Sequence, residues 1–265
     1  MLISFCNTHG TKTHRIALTG LLAGCLLLLG ACSQSDSEAE LRALVAEQAE
    51  RLQRIEDIQA IEKLERAYGY YVDKHLWDQV VDLFAEESSV EIAQRGIFLN
   101  KEGVERAFLG RMGRNQIGIA RGTLFNHIQV QGIVDVDPGG LTAKGRFRAM
   151  VQVAGFGSNR EFWSDGIYEN EFIKEDGIWK FKKMKFWTTY YTPFHEGWSG
   201  EQAACINGDG SGMSEGADLP SLDGAGVYPN VYFPPFHYPN PVTGEEVDVS
   251  AFNARAVAET IWPEC

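Results

Sequence analysis

The stretch GIYENEFIKEDGIWKFKKMKF, Gly166 to Phe186, is a pair of apolar–polar alternations hinged on Glu175-Asp176-Gly177. Period two on both sides of an Asp-Gly pair is the pattern of an antiparallel hairpin. Alternate side chains of a strand leave opposite faces, and Asp-Gly accepts the positive φ of a tight turn. The same period extends in both directions. TLFNHIQVQGIVDVD, GLTAKGRFRAMVQVAG, REFWSDGIYENEFIKE and GIWKFKKMKFWTTYY read as four long strands, parted by DPGG, GFGSN and EDG.

Upstream the period is helical. From Leu41 to Tyr68 apolar residues recur at spacings of three and four (Val45, Ala49, Leu52, Ile55, Ile58, Ile61, Leu64), with no Gly or Pro before Gly69. One long amphipathic helix is expected, its first half a stalk or pairing helix and its second half, from about Ile55, packed into the domain. WDQVVDLFAEESSVEI reads as a short helix running into a strand near Ser89, and NKEGVERAFLGRM as a third helix starting at Asn100 or Lys101. Helices first and long strands after them give an α+β layout, a curved, mostly antiparallel sheet with helices packed on one face.

These segments in this order resemble the SnoaL-like branch of the nuclear transport factor two-like superfamily, which includes scytalone dehydratase and bile acid dehydratase. The resemblance rests on W-D-x-V-x-D-L-F-A-x-x-x-x-V from Trp77, the KEGVERAF helix, a histidine-bearing strand and the closing Y-x-x-x-F-x-K-x-x-G-x-W-x-F from Tyr168. It covers roughly residues 55–191 and implies a cone-shaped fold. It says less about chemistry, because that fold hosts dehydratases, isomerases, cyclases and plain binding proteins.

The flanks read differently. Residues 1–31 look like a signal peptide: Lys12 and Arg15 without an acid, a fifteen-residue apolar run IALTGLLAGCLLLLG, then Leu29-Gly30-Ala31 before Cys32, a close match to a bacterial lipobox. Cys32 is therefore the expected lipidation site. Ser33 follows it, so the periplasmic face of the outer membrane is the expected location, and 32–54 would be tether and stalk. Losing the leader moves the formal net charge from −12 to −14. Such a chain repels phosphate, and nucleic acid is not an expected partner. In an oxidising compartment Cys205 and Cys265 are left as a candidate disulfide, closing a loop worth about 4 kcal/mol on the chain-entropy model. Residues 192–265 lack periodicity but carry Trp198, Tyr228, Tyr232 and Phe236, too much aromatic surface for a solvated tail. An ordered, irregular wrap is expected, closing the mouth of the cone or sealing a subunit interface, with a last helix in VSAFNARAVAETIW.

Chemistry is sought where YGYYVD ends the first helix. A carboxylate there faces the negative end of the macrodipole, disfavoured by about 0.3–1 kcal/mol. If enclosed, Asp73 would have a raised pKa or need a cationic partner. On the strand, His127, Gln129 and Gln131 share one face, so a polar row looks at solvent or into the cone. In the resembling dehydratases a helix tyrosine, an aspartate five residues later and a strand histidine work together. That carries catalytic roles to Tyr68, Asp73 and His127, with Asp73 orienting the imidazole. Tyr71, Trp163, Tyr190 and Tyr191 are candidates for binding substrate. No C-x-x-C, H-E-x-x-H or Walker loop occurs, and GDGSGMSEG matches a calcium loop only loosely, so neither metal nor cofactor is expected.

The expected function is thus a cofactor-independent lyase acting on a hydroxylated aromatic or polycyclic molecule, by dehydration or by retro-aldol-type loss of formaldehyde from a lignin-derived diaryl compound. Isomerisation would use the same groups. A second class shares every feature except the chemistry: a lipoprotein that binds an apolar small molecule or a partner protein. The resemblance also implies a homo-oligomer.

Overall fold

Asp176 and Gly177 both take positive φ, 50° and 78°, and form a two-residue turn between β5 (Glu161–Glu175) and β6 (Ile178–Pro193). Their twist matches that of the strands they join. In this computed structural model residues 13–158, 161–198, 213–221 and 227–259 are described, with side chains from Ser37 onward except Gln94. Cys205, Cys265 and the side chain of Cys32 lie outside the described residues. Among the described residues no helix is long and apolar enough to cross a membrane.

Four antiparallel strands form most of one sheet. β3 (Thr123–Val136) pairs with β4 (Thr142–Gly155), β4 with β5, and β5 with β6. Beyond β6 lies β1 (Phe84–Ile92), paired parallel to it, and then β2 (Ile97–Leu99), so the order is β2-β1-β6-β5-β4-β3. The fold class is the α+β one expected, a curved and unclosed sheet with the N-terminal helix packed on it. β1 starts at Phe84, five residues earlier than its sequence indicates, because the buried Phe84 and Ala85 already lie in the sheet and a bulge separates Phe84 from Ser89.

The chain divides into two units, residues 1–53 and 54–265. Helix α1 is assigned to Thr13–Asp73. Within the first unit Leu41, Val45 and Leu52 are each more than half exposed. Within the second, the buried stripe of α1 is Asp57, Ile61, Glu65, Tyr68 and Val72, spaced four, four, three and four apart. It is rotated from the apolar stripe of the sequence: Ile58 and Leu64 are half-buried flanks, and two acids take places in the core. Asp57 is neutralised in place, accepting hydrogen bonds from Trp179 Nε1 at 2.9 Å and pairing with Lys174 Nζ at 2.6 Å. α2 (Trp77–Asp82) and α3 (Asn100–Glu105) follow, and a π-helical turn over Arg106–Met112 replaces the second half of the expected third helix.

The described parts of the C-terminal extension do not close the cone. Residues 213–221 brace β2, where Leu219 bridges Ile97, and residues 227–238 run along the sheet face opposite the helices. There Tyr232 stacks on Trp187 at 4.7 Å, Arg146 donates to the carbonyls of Pro234 and Pro235, and His237 bonds Glu169 at 2.9 Å. Arg146, Glu169 and Trp187 all alternate out of the core, so the extension covers a face that four polar-out strands would leave wet. α4 (Ser250–Ala258) ends the described chain, and Asn253 ties it to the main chain of Phe233.

Candidate active site

Strand register builds the site one row at a time. His127 is opposite Val151, Val151 opposite Ser164, and Ser164 opposite Tyr191, so these four side chains share the helix-facing side across four strands. The next rows carry Phe125 and Val153 on one side and, two rows on at the other, Phe147, Tyr168 and Phe186. All of these except Phe147 line a cavity of about 520 Å³ together with Tyr68, Val72, His75 and Trp77 from the end of α1 and the turn after it. A volume of this size takes one drug-sized molecule.

α1 reaches this row because of Gly69. A Cβ there would fall 2.7 Å from the carbonyl oxygen of His127, so only glycine lets the helix backbone cross β3 so closely. The helix then stops: His75 adopts φ 54°, and its N–H donates to Val72 O at 3.1 Å. Its imidazole stacks on Trp77 with centroids 5.0 Å apart, forming part of the cavity wall.

At the centre, three buried polar rings are chained. His127 Nε2 lies 3.0 Å from Tyr168 Oη, and Tyr168 Oη lies 3.1 Å from Tyr68 Oη. Tyr68 also packs edge-on against Phe108, His127, Tyr168 and Phe181 at 5.5–5.9 Å, contacts worth about 0.5–1.5 kcal/mol each beyond burial. Burial drives the His127 pKa down to about 4, so the ring is neutral at pH 7. Burial raises both phenols above their ordinary range, and they stay protonated. His127 Nδ1 has no partner among the described residues. If Nε2–H donates to Tyr168, Nδ1 keeps its lone pair.

Two of the three expected catalytic residues, Tyr68 and His127, therefore meet in the cavity. Asp73 is placed differently from the expectation. Its carboxylate accepts the main-chain N–H of His127, not an imidazole N–H, and it does not line the cavity. It is half-buried, with its pKa raised by burial and lowered in part by that N–H and by Lys74. The physical reason is geometric: Asp73 closes α1 beside the backbone of β3, so it anchors the strand that carries the ring. Among the binding candidates, Tyr191 lines the cavity. Tyr190 alternates away toward Asp165 and Trp198, Tyr71 packs half-buried against the core, and Trp163 stacks on Phe194 at 6.2 Å.

Arg95, Arg111 and Arg114 were not singled out from the sequence, yet they line the cavity, and among its described lining residues there is no acid. Arg95 ends a single 3-10 turn, Ala93–Arg95, between β1 and β2. Burial lowers its pKa, and the phenols of Tyr191, Tyr168 and Tyr68 are its electrostatic neighbours. Glu65, one turn before Tyr68 and fully buried, is a second omission. Asn170 Nδ2 donates to its Oε2 at 3.0 Å, and burial pushes its pKa up to about 8. Among the described residues no group of three or more His, Cys, Asp or Glu is gathered to hold a metal ion.

Several solved structures are similar to about half of this chain. A Novosphingobium aromaticivorans protein provisionally assigned as a scytalone dehydratase is 23% identical, with 54% of this chain aligned to 91% of that one at a TM-score of 0.46. The hexachlorocyclohexane dehydrochlorinase LinA-type3 of Novosphingobium barchaimii is 19% identical over 54% of this chain and 93% of that one, TM-score 0.47. ActVI-ORFA of Streptomyces coelicolor is 9% identical over 49% and 95%, TM-score 0.41. No curated protein sequence matches the chain. The SnoaL-like domain family matches residues 53–185, half of the chain, and to that family the protein belongs.

Proposed function

We propose that the protein is a cofactor-independent lyase that removes water from a hydroxylated aromatic or polycyclic substrate held in the 520 Å³ cavity. The observation that carries this is a neutral, buried imidazole chained to two protonated phenols on the cavity wall. A ring with its pKa near 4 is uncharged at neutral pH and carries an open lone pair, and the burial that lowers its basicity is offset only when substrate charge develops beside it. In the proposed step the His127 ring, turned so that the buried Nδ1 meets the cavity, removes a proton from the carbon next to a polarised group, and the imidazolium hands it to the departing hydroxyl on the same face. One C–H and one C–O bond break, a C=C bond forms, and water leaves. Tyr68 and Tyr168 hold their protons too firmly to transfer them, so they polarise the substrate oxygen by hydrogen bonding. Asp73 acts as a positioning residue through the His127 main chain. Loss of formaldehyde by retro-aldol-type cleavage would need the same base against a substrate hydroxyl.

The test is a panel of hydroxylated steroids and diaryl lignin fragments, followed by absorbance for new conjugation and assayed for formaldehyde. In a responding reaction His127→Gln should cut kcat by at least about a hundredfold, the range of general-base catalysis, with ligand binding kept within about tenfold. Unchanged turnover in that variant removes His127 from the mechanism. Tight binding across the panel with no turnover in the wild type favours the non-catalytic binding protein.

A further inference from the structure

The cavity is electrostatically unlike the rest of the chain. The protein carries a formal charge of −12, yet the charged side chains lining its cavity are three arginines, with no acid among the described lining residues. Arg111 and Arg114 are exposed, whereas Arg95 is set deeper and is electrostatically coupled to the phenols at the centre. Arg95 is half-buried, and a guanidinium partly withdrawn from water commonly has a carboxylate against it, because it loses hydration there without gaining a partner. Among the described residues the one hydrogen-bond partner of the Arg95 side chain is the Ile92 carbonyl, at a long 3.5 Å from Nη1.

The turn that holds Arg95 is itself constrained. Ala93 has φ 52° and Gly96 φ 91°, the first a left-handed conformation that costs a non-glycine residue about 1 kcal/mol or more. Contacts from the C-terminal extension fix it: the one hydroxyl proton of Ser221 is shared between Glu91 Oε1 at 2.6 Å and Ala93 O at 2.9 Å, and Ser214 N donates to Arg95 O at 3.0 Å. A strained turn held from a segment more than a hundred residues away aims a cation at a cavity whose described lining residues offer it no anion.

From this we infer that the substrate carries a carboxylate, seated on Arg95 with Tyr191 beside it, and that its apolar body lies against Phe125, Val153, Phe162 and Phe186. The planar fork of the guanidinium matches a carboxylate by two parallel hydrogen bonds, and the aromatic wall takes a flat ring system. The inference rests on the cavity being the substrate site proposed above, and it narrows that substrate to an acid.

Calorimetric titration of the full chain with 2-naphthoate and with 2-naphthamide tests it, since the two differ by the charge alone. The naphthoate should bind at least about tenfold tighter, the discrimination expected of a charge-assisted pair. Arg95→Gln should erase that preference and Arg95→Lys should keep part of it. Equal or tighter binding of the amide overturns the inference, as does no naphthoate binding at millimolar concentration or an Arg95→Gln protein that still prefers the acid. If Arg95→Gln fails to fold, the wild-type pair decides alone. No turnover is read, so a silent substrate panel would sink the lyase and leave this preference standing, while loss of the preference would leave the lyase untouched.

Discussion

Glu65 and His127 are both neighbours of Tyr68, and burial pushes both toward their neutral forms. Their effects on stability have opposite signs. The folded-state pKa of His127, about 4, is below the ordinary 6.5, so as pH falls from 6.5 toward 4 the unfolded chain gains a proton that the native chain refuses. Stability drops through that window. For Glu65 the folded value, about 8, is above the ordinary 4.5, so as pH rises from 4.5 toward 8 the unfolded chain releases a proton that the native chain keeps. Stability drops through that window too, by on the order of 4 kcal/mol at its end. Glu65→Gln keeps an acceptor for Asn170 and removes the titration. Its melting temperature should equal the wild type's near pH 4.5 and exceed it by a growing margin up to pH 8. A constant difference across that range would mean that Glu65 is charged in the native protein.

At the scale of elements, the segment 213–221 sets both β2 and the turn bearing Arg95. Asp218 accepts the Leu99 N–H at 2.8 Å and both short contacts of Arg106 Nη2 at 2.7 Å, while Ile97 and Leu219 exchange main-chain bonds. Asp218→Ala removes the acceptor and leaves the Leu99 N–H unpaired, a loss of about 1–2 kcal/mol for a half-exposed site. Amide exchange at Leu99 and Ile97 should quicken, and the naphthoate preference should weaken with it. Unchanged protection at both amides would show that β2 stands without the extension. This dependence also explains what could be read from the sequence. The β5–β6 hairpin is local, and Asp176-Gly177 announces it. His127 is legible because the polar row of its strand is a period-two signal. Arg95 is not, since what aims it is Ser214 and Ser221, far along the chain. Tyr168, and the choice of Tyr191 over Tyr190, needed the register, and bulges between Asp165 and Gly166 and between Val130 and Ile133 shift it in ways alternation does not encode. The role of Asp73 was misjudged because spacing gives its neighbourhood but does not distinguish the ring of His127 from its main chain.

For the whole molecule, charge decides how it would be held at a membrane. A chain processed at Cys32 would, at −14, be repelled by anionic headgroups, so any attachment would have to come from buried hydrocarbon. We propose that Leu29-Gly30-Ala31-Cys32 supplies the place for it: acyl chains on Cys32, at about 0.8 kcal/mol per buried CH₂, would outweigh the repulsion. On this reasoning the protein expressed with its leader in a Gram-negative host should sediment with membranes and resist a molar-salt wash, which strips electrostatically held proteins. Its mature N-terminal peptide should begin at Cys32 and carry the mass of its acyl groups. Cys32→Ser should either retain the leader or appear in the soluble fraction. Membrane association lost in high salt, or a mature N-terminus without lipid, would refute the anchor. Either result would leave the cavity chemistry untouched, because His127, Tyr168 and Arg95 are placed by the sheet and by the segments that brace it.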